Sequence, residues 1–514
     1  MRNLHSFYEV LKTTIEVIFF AVLLMGITNI LINPVFGVDD VVKNGYVLNF
    51  IRVIYRTAQF MVINFPFLML IRLSARRGGS GTSLVAAIAG YAAYLISTMM
   101  FASQSMPSGA FSSILGISYA TGGTDSVMRY PIQTGLIGAM IVAFITLGSF
   151  NRSRNRNEYG FFSFVSKEST VTLRTILFSS LAGFGIALVW PHVLAGIQKI
   201  VSFITADTTN PINLALYGIT DRFLGTLNLG TLIRQPFWYG VNGGSWVNLA
   251  GSPVTGDAVI WTSQLSANAL TGIAGRFFTP YYVLNIFAVP GMIWGMFSLS
   301  TDAMDRRKKR VFCVLATIAS LVSGTLLPLE LMLLLLCPLL YCFHLAYTGV
   351  LYAVLHTMHV YLGYQTAETL TLSALPGTLP EFLTYLRYPS LQPTLIRICI
   401  VGVISTVIYF LAVRICFRYL ALDLFNTGDK ERAVNATLAA FGGTENIKMI
   451  QSNLSQLTIN VYDPEKINLS KLRKLGSIRV FETRAGYTLC FGASSTMIRK
   501  GINEVMRKAI RNVE

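Results

Sequence analysis

Long apolar runs recur along most of this chain, separated by short polar stretches in which Lys and Arg cluster. A helix needs roughly 20 mainly apolar residues to cross a bilayer. Runs of that kind fall near 13–33, 47–72, 83–103, 133–150, 174–203, 278–300, 311–327, 329–354 and 395–417. The partly apolar stretches 211–240 and 355–375 read as re-entrant or tilted segments. The pattern predicts a polytopic α-helical membrane protein with about 8–10 transmembrane helices plus re-entrant hairpins. From about 419 the chain turns polar, and Asn426-Thr427-Gly428-Asp429-Lys430 reads as a linker. Beyond it, Ala433 to Ala440 reads as a helix closed by Gly442-Gly443, Leu457 to Tyr462 as a strand, and Lys471 to Leu475 as a short helix. Arg479 to Thr483 and Tyr487 to Phe491 form an expected hairpin turning at Ala485-Gly486. A last helix from Thr496 carries Ile498, Ile502, Val505 and Ile510 on one face. The end of the chain is therefore expected to be a small cytoplasmic α/β domain.

Composition agrees with that division. Only 13% of the residues are charged and 53% are hydrophobic, with a mean hydropathy of +0.56; soluble proteins average about 25% charged. The formal charge of +17 would suit a nucleic-acid binder, but the basic residues sit beside the apolar spans, as cytoplasmic loops require. Arg72, Arg76 and Arg77 follow the second span, and Arg152, Arg154 and Arg156 the fourth. Arg306 to Arg310 precede the seventh, and Arg414 and Arg418 end the last. This places both termini inside and 104–130 outside, with membrane lipid and not nucleic acid as the surrounding partner. The first apolar run lacks a small-residue cleavage site and reads as a retained helix. Cys313, Cys337, Cys342, Cys399 and Cys416 lie in or beside apolar segments and read as small hydrophobes. Cys490, on the expected hairpin, reads as core. No Walker loop, dinucleotide fingerprint or ligand-spaced Cys/His cluster is present, so no cofactor and no metal is expected.

Particular motifs then narrow the reading. Phe441-Gly442-Gly443-Thr444-Glu445-Asn446-Ile447-Lys448, followed by Gln451-Ser452-Asn453-Leu454-Ser455-Gln456-Leu457, resembles the phosphocysteine loop of the enzyme IIB domain in glucose-family sugar phosphotransferase system (PTS) permeases. Upstream, Gly26-Ile27-Thr28-Asn29, Asn64-Phe65-Pro66-Phe67, Gly90-Tyr91 and Thr134-Gly135-Leu136-Ile137-Gly138 resemble elements of that family's membrane domain, enzyme IIC. So do Gly160-Phe161-Phe162, Ala187-Leu188-Val189-Trp190-Pro191 and Tyr217-Gly218 with Asp221-Arg222. The order of these motifs is the family's order. The resemblance implies a IIC-like domain over 1–420, with a dimer-forming scaffold half (1–205) and a substrate half (206–420). It further implies a linker (421–432), a IIB-like domain (433–514), a homodimer in a bacterial inner membrane, and a sugar or sugar-like solute as ligand.

The departures fall where the family's chemistry lies. Asn453 occupies the position of the phosphocysteine, and a carboxamide cannot accept a phosphoryl group as a thiolate does. Asn228-Leu229-Gly230-Thr231 replaces the family's histidine-bearing loop. Gly324-Thr325-Leu326-Leu327-Pro328-Leu329-Glu330-Leu331 resembles the family's G-I-T-E-P-x-E-F, keeping the second glutamate as Glu330 but placing Leu327 at the first. A proton acceptor for the sugar hydroxyl is thereby missing, and the family's F-S-G-G stretch is absent at Gly363-Tyr364-Gln365-Thr366-Ala367-Glu368. No catalytic residue is assigned, and the expectation is transport or sensing uncoupled from phosphorylation. Two other readings stay open: a non-transporting regulator whose IIB-like domain docks a cytoplasmic partner, and a subunit of an active phosphotransferase working with the cytoplasmic PTS components. Glu330 is read either as a solute-binding carboxylate or as one half of a structural ion pair. Arg222, Asn242 and Trp246 are its candidate helpers. Trp238, Tyr239, Asn242 and Trp246 suit a sugar site, which uses ring faces and amides, and equally an interfacial aromatic belt. His344 reads as a structural hydrogen-bond partner, and His356 with His359 could share a helix face.

Overall fold

The computed structural model describes residues 2–36, 44–78, 81–103, 105–120, 127–154, 166–249, 251–270, 272–298, 306–366, 375–420, 427–452, 457–474, 480–483, 486–489 and 494–511. Two compact units emerge, one from Met1–Leu299 with Asp305–Cys416, the other mainly from Phe417–Glu514.

The first unit opens with α1 (Arg2–Ile32), α2 (Gly45–Ile63), α3 (Phe65–Gly78) and α4 (Gly81–Phe101). A minimal ribbon of β1 (Tyr119–Ala120) and β2 (Met128–Arg129) leads into α5 (Gly135–Arg154) and α6 (Lys167–Ala206). Next come α7 (Pro211–Thr226), α8 (Thr231–Trp238), the antiparallel ribbon of β3 (Ser245–Val247) and β4 (Pro253–Thr255), and α9 (Asp257–Ser266). A π-turn at Leu284–Ala288 joins α10 (Thr279–Val283) to α11 (Val289–Ser298). The unit closes with α12 (Arg306–Ser323), α13 (Leu327–Leu336), α14 (Pro338–Thr357), α15 (Leu379–Thr384) and α16 (Gln392–Leu420).

Among the described residues seven helical stretches are long and apolar enough to span: Val10–Ile32, Gly81–Phe101, Gly135–Ser153, Glu168–Ala206, Thr279–Ser298, Pro338–Thr357 and Pro389–Cys416. The pair α2 and α3, bent by 67°, adds an eighth when the two are counted as one broken span. The chain is a multi-pass α-helical membrane protein, at the lower end of the expected span number. Many of its outward residues are apolar, as lipid favours; Phe178, Leu181 and Leu188 on α6 and Ile400, Val403 and Val407 on α16 are exposed. Inward, small residues let backbones approach. A Cβ on Gly90 of α4 would stand 2.7 Å from Thr175 Cγ2 of α6.

Three expected spans differ in detail, each for a local reason. The run 47–72 is bent at Asn64, because Pro66 has no N–H to give the turn before it. Asn64 Nδ2 donates to the Phe60 carbonyl at 3.0 Å and its Oδ1 accepts from Leu115 N at 3.1 Å, which holds the bend. The run 329–354 is two helices, broken at Cys337 (φ −140°, ψ 75°), since Pro338 drives its predecessor out of the helical region. The run 311–327 stops at Ser323, where Gly324 takes φ +65°. Cys342, read as a buried hydrophobe, is exposed, whereas Cys313 and Cys337 are buried.

The second unit holds α17 (Thr427–Ala440), β5 (Ile447–Ser452), β6 (Leu457–Val461), α18 (Leu469–Lys474), β7 (Val480–Thr483), β8 (Gly486–Leu489) and α19 (Ser494–Arg511). The four strands form an antiparallel sheet in the order β5-β6-β8-β7. Val434, Leu438, Phe441, Leu457, Ile459 and Ile502 are among the residues of its core. Strand β5 was not expected from the sequence; a register shift between Ile447 and Met449 interrupts its alternation. The helix before Gly442 and Gly443 begins at Thr427 rather than Ala433, and both glycines take positive φ (+86° and +96°) as its stop requires. Asn453, Ala485 and Cys490 lie outside the described residues.

Candidate functional site

Helices α7 and α14 lie against each other through two glycines. A Cβ on Gly218 would meet the Tyr352 ring at 2.2 Å, and one on Gly349 would meet Ile219 at 2.9 Å. This closeness brings Asp221, Arg222 and Thr226 to α13 and α14. Pro328 starts α13, where a missing N–H costs nothing, and sets Glu330 in the first turn, where the helix dipole favours a carboxylate.

Glu330 is 3% exposed and fully engaged. Its Oε1 lies 3.4 Å from Arg222 Nη1 and 3.4 Å from His344 Nε2, and its Oε2 accepts from the Thr226 hydroxyl at 3.2 Å. Tyr341 donates to Thr226 at 3.0 Å, and His344 Nδ1 meets the Tyr409 hydroxyl at 2.8 Å. The neighbouring Asp221 takes Arg234 Nε on one oxygen and the Tyr281 hydroxyl on the other. Arg222 is buried too, with its guanidinium 4.0 Å from the Tyr281 ring centroid. Its Nε and Nη2 have no hydrogen-bond partner among the described residues. Two donors on a buried guanidinium are a costly vacancy in hydrogen bonding.

Trp238 ends α8 within this network. Its ring meets Phe278 at 4.7 Å, Tyr364 at 5.8 Å and Tyr281 at 6.0 Å, and its Nε1 donates to Tyr217 at 2.8 Å. The hydroxyls of Tyr239 and Tyr364 are hydrogen-bonded. Of the four site residues expected from sequence, Arg222 and Glu330 are brought together. Asn242, in the turn Val241–Gly243, and Trp246, on β3 opposite Val254, are half-buried. No hydrogen bond, ion pair or ring contact among the described residues joins either to Arg222 or Glu330.

Two buried carboxylates escaped the sequence reading. Asp257 opens α9 and accepts from the N–H groups of Gly275 (2.9 Å) and Phe277 (3.3 Å). Burial pushes its carboxyl up to about 6 despite the Arg276 charge and these two donors, and its role is to tie a loop. Glu381, in the first turn of α15, is fully buried. Its Oε1 accepts from Gln365 N at 2.8 Å and the Tyr385 hydroxyl at 3.1 Å, while its Oε2 has no partner among the described residues. Burial pushes this carboxyl up to about 8, against the pull of Gln365 N–H, Tyr282 and Tyr385. A signal for Glu381 was present. Gly377-Thr378-Leu379-Pro380-Glu381 echoes Gly324-Thr325-Leu326-Leu327-Pro328-Leu329-Glu330, and both glycines take positive φ (+77° and +65°) before a proline-led helix.

His356 spends both ring nitrogens on structure, Nε2 on the Thr209 carbonyl (2.7 Å) and Nδ1 on the Tyr361 hydroxyl (2.9 Å). Among the described residues no group of three His, Cys, Asp or Glu side chains could hold a metal ion.

No family model matches the sequence. Among solved structures the chain is similar to the transporter ChbC, the IIC component from the N,N'-diacetylchitobiose-specific phosphotransferase system. The identity is 12%, over 81% of this chain and 92% of that one, with a TM-score of 0.29. A likeness so distant leaves the functional reading to the residues of the chain itself.

Proposed function

We propose that this chain is a membrane permease for a sugar or sugar-like solute, a homologue of the glucose-family PTS permeases with IIC-like and IIB-like parts, that moves its solute without phosphoryl transfer of its own. One observation supports this reading above the rest. The two motif segments around 217–226 and 324–331, which resemblance alone paired, meet through Arg222, Thr226 and Glu330 and leave two Arg222 donors without a partner among the described residues, beside a stack of aromatic rings. Sugars are held by ring faces and by directed hydrogen bonds. In this reading Glu330 braces Arg222, Arg222 and Trp238 receive the solute, and Asn242 and Trp246 form the outer part of the site. A homodimer, an inner-membrane location and docking of cytoplasmic phosphotransferase components on residues 433–514 belong to the same proposal.

Uptake of radiolabelled sugars into proteoliposomes carrying the full chain tests it. Unmodified sugar inside, with no phosphoryl donor present, is the expected result. With donor proteins and labelled phosphate added, no stable label should appear on the chain, because Asn453 offers no nucleophile. Asn453→Cys alone should not restore sugar phosphorylation, since Leu327 still supplies no proton acceptor. Recovery of sugar phosphate from the unaltered protein would overturn the proposal.

The orientation is equally testable. Short basic loops stay on the cytoplasmic side, so 1–12, 73–82, 151–173, 301–310 and 419–514 are assigned inside and 104–130 outside. In a cysteine-free variant, Arg154→Cys and Lys308→Cys should resist an impermeant thiol reagent added outside intact cells. Labelling of either from outside would reverse the assignment.

A further inference from the structure

We propose that Glu381 is a proton-binding site whose carboxyl takes up and releases one proton for each solute moved, so that the permease is a solute–proton symporter. The inference rests on the permease reading above and adds its driving force. Its basis is a contrast among the buried carboxylates of one unit. Glu330 faces Arg222 and His344, and Asp221 faces Arg234. Asp257 has two backbone N–H donors and the Arg276 charge nearby. Glu381 takes part in no ion pair among the described residues, is fully buried, and leaves Oε2 without a partner. A lone ionised carboxylate in such a place is strongly disfavoured, so the group holds a proton whenever no cation or polar ligand is present.

The local geometry is diverted from an ordinary structural role. Thr378-Leu379-Pro380-Glu381 has the spacing of a helix capping box, in which the threonine hydroxyl and the glutamate would satisfy each other's backbone N–H groups. Here Thr378 makes no side-chain cap bond, and its buried Oγ1, like Glu381 Oε2, has no partner among the described residues. Both are left over for something mobile. The titratable groups facing the carboxyl are Tyr282 from α10, Tyr385 from the turn after α15, and Tyr364 from the segment before it. The helix α12 also borders α15, as does the turn Pro34–Phe36. Neither residues 314–323 of α12 nor that turn carries a titratable side chain. Among the described residues no charged group is paired with the carboxyl. The step itself is balanced: an O–H bond forms on the carboxylate with a proton from water on one side, and the same bond later breaks, returning the proton to water on the other.

The test uses full-length protein in proteoliposomes and a panel of radiolabelled mono- and disaccharides. With the potential clamped, an inward gradient of about one pH unit should drive accumulation toward a limit of about tenfold for one proton per solute. Glu381→Gln should abolish that response. Uptake that is indifferent to the gradient in the unaltered protein overturns the coupling and leaves the permease reading intact. Absence of uptake of every sugar overturns both. A second measurement needs no transport. Between the ordinary carboxyl value of 4.5 and about 8, the folded protein keeps a proton that the unfolded chain has lost, so stability must fall as pH rises through that window. Melting curves should show this fall in the unaltered protein and a shallower one in Glu381→Gln. Identical pH profiles would overturn the proton site itself.

Discussion

Glu330→Ala is expected to lower the stability of the membrane unit by roughly 3–5 kcal/mol, the range for removing one partner of a buried ion pair. The loss comes less from the missing attraction than from what remains. Arg222, 3% exposed, would keep its charge without the carboxylate that pairs with it, since Asp221 is already taken by Arg234 and Tyr281, and His344 and Thr226 would each lose an acceptor. The double change Arg222→Met with Glu330→Leu should recover most of that loss, since replacing both charges by apolar groups of similar size is often neutral or better. Melting curves in detergent on the two variants decide the matter. A Glu330→Ala protein as stable as the parent would mean that the pair does not support the fold. Glu330→Gln separates bracing from binding. Both oxygens of Glu330 are already engaged, so the change should lower stability and leave solute affinity unaltered. A drop in affinity at constant stability would return Glu330 to the solute itself.

The second large effect is expected at Gly377. Its φ of +77° lies in the left-handed region, which costs a side chain roughly 1–2 kcal/mol. A Cβ there would also stand 2.6 Å from the Tyr281 carbonyl carbon, and relieving such overlap typically costs about 1–3 kcal/mol more. Gly377→Ala should therefore destabilise the unit by roughly 2–5 kcal/mol, from the two ranges together. It should also shift the turn that carries Thr378 and Glu381 and weaken any pH dependence that Glu381 imposes. Gly81→Ala is the control, because a Cβ there meets nothing within 4 Å. A Gly377→Ala protein melting with the control would show that this turn yields easily and does not fix Glu381.

The sequence by itself determined the class of this protein and most of its elements. Twenty-residue apolar runs have few other places to go than a bilayer, and prolines and glycines mark where those runs bend or stop. It also supplied the small C-terminal unit, whose glycine stop and final amphipathic helix are local signals. It singled out Arg222 and Glu330, since a charge within an apolar segment is conspicuous in one dimension.

Tertiary structure alone decided how those charges are used. Whether a buried carboxylate is matched depends on side chains over a hundred positions away, as Glu330 is by Arg222, and no local periodicity carries that information. For the same reason Glu381 passed unnoticed: in sequence it is the glutamate of a capping box, and only the fold withholds the cap and, among the described residues, a counter-ion. Strand β5 was hidden because the register shift at its start breaks the period-2 pattern on which strand reading rests. Local sequence fixes backbone preference and polarity; pairing among buried polar groups is set by the three-dimensional neighbours that the packing of α7, α13, α14 and α15 supplies.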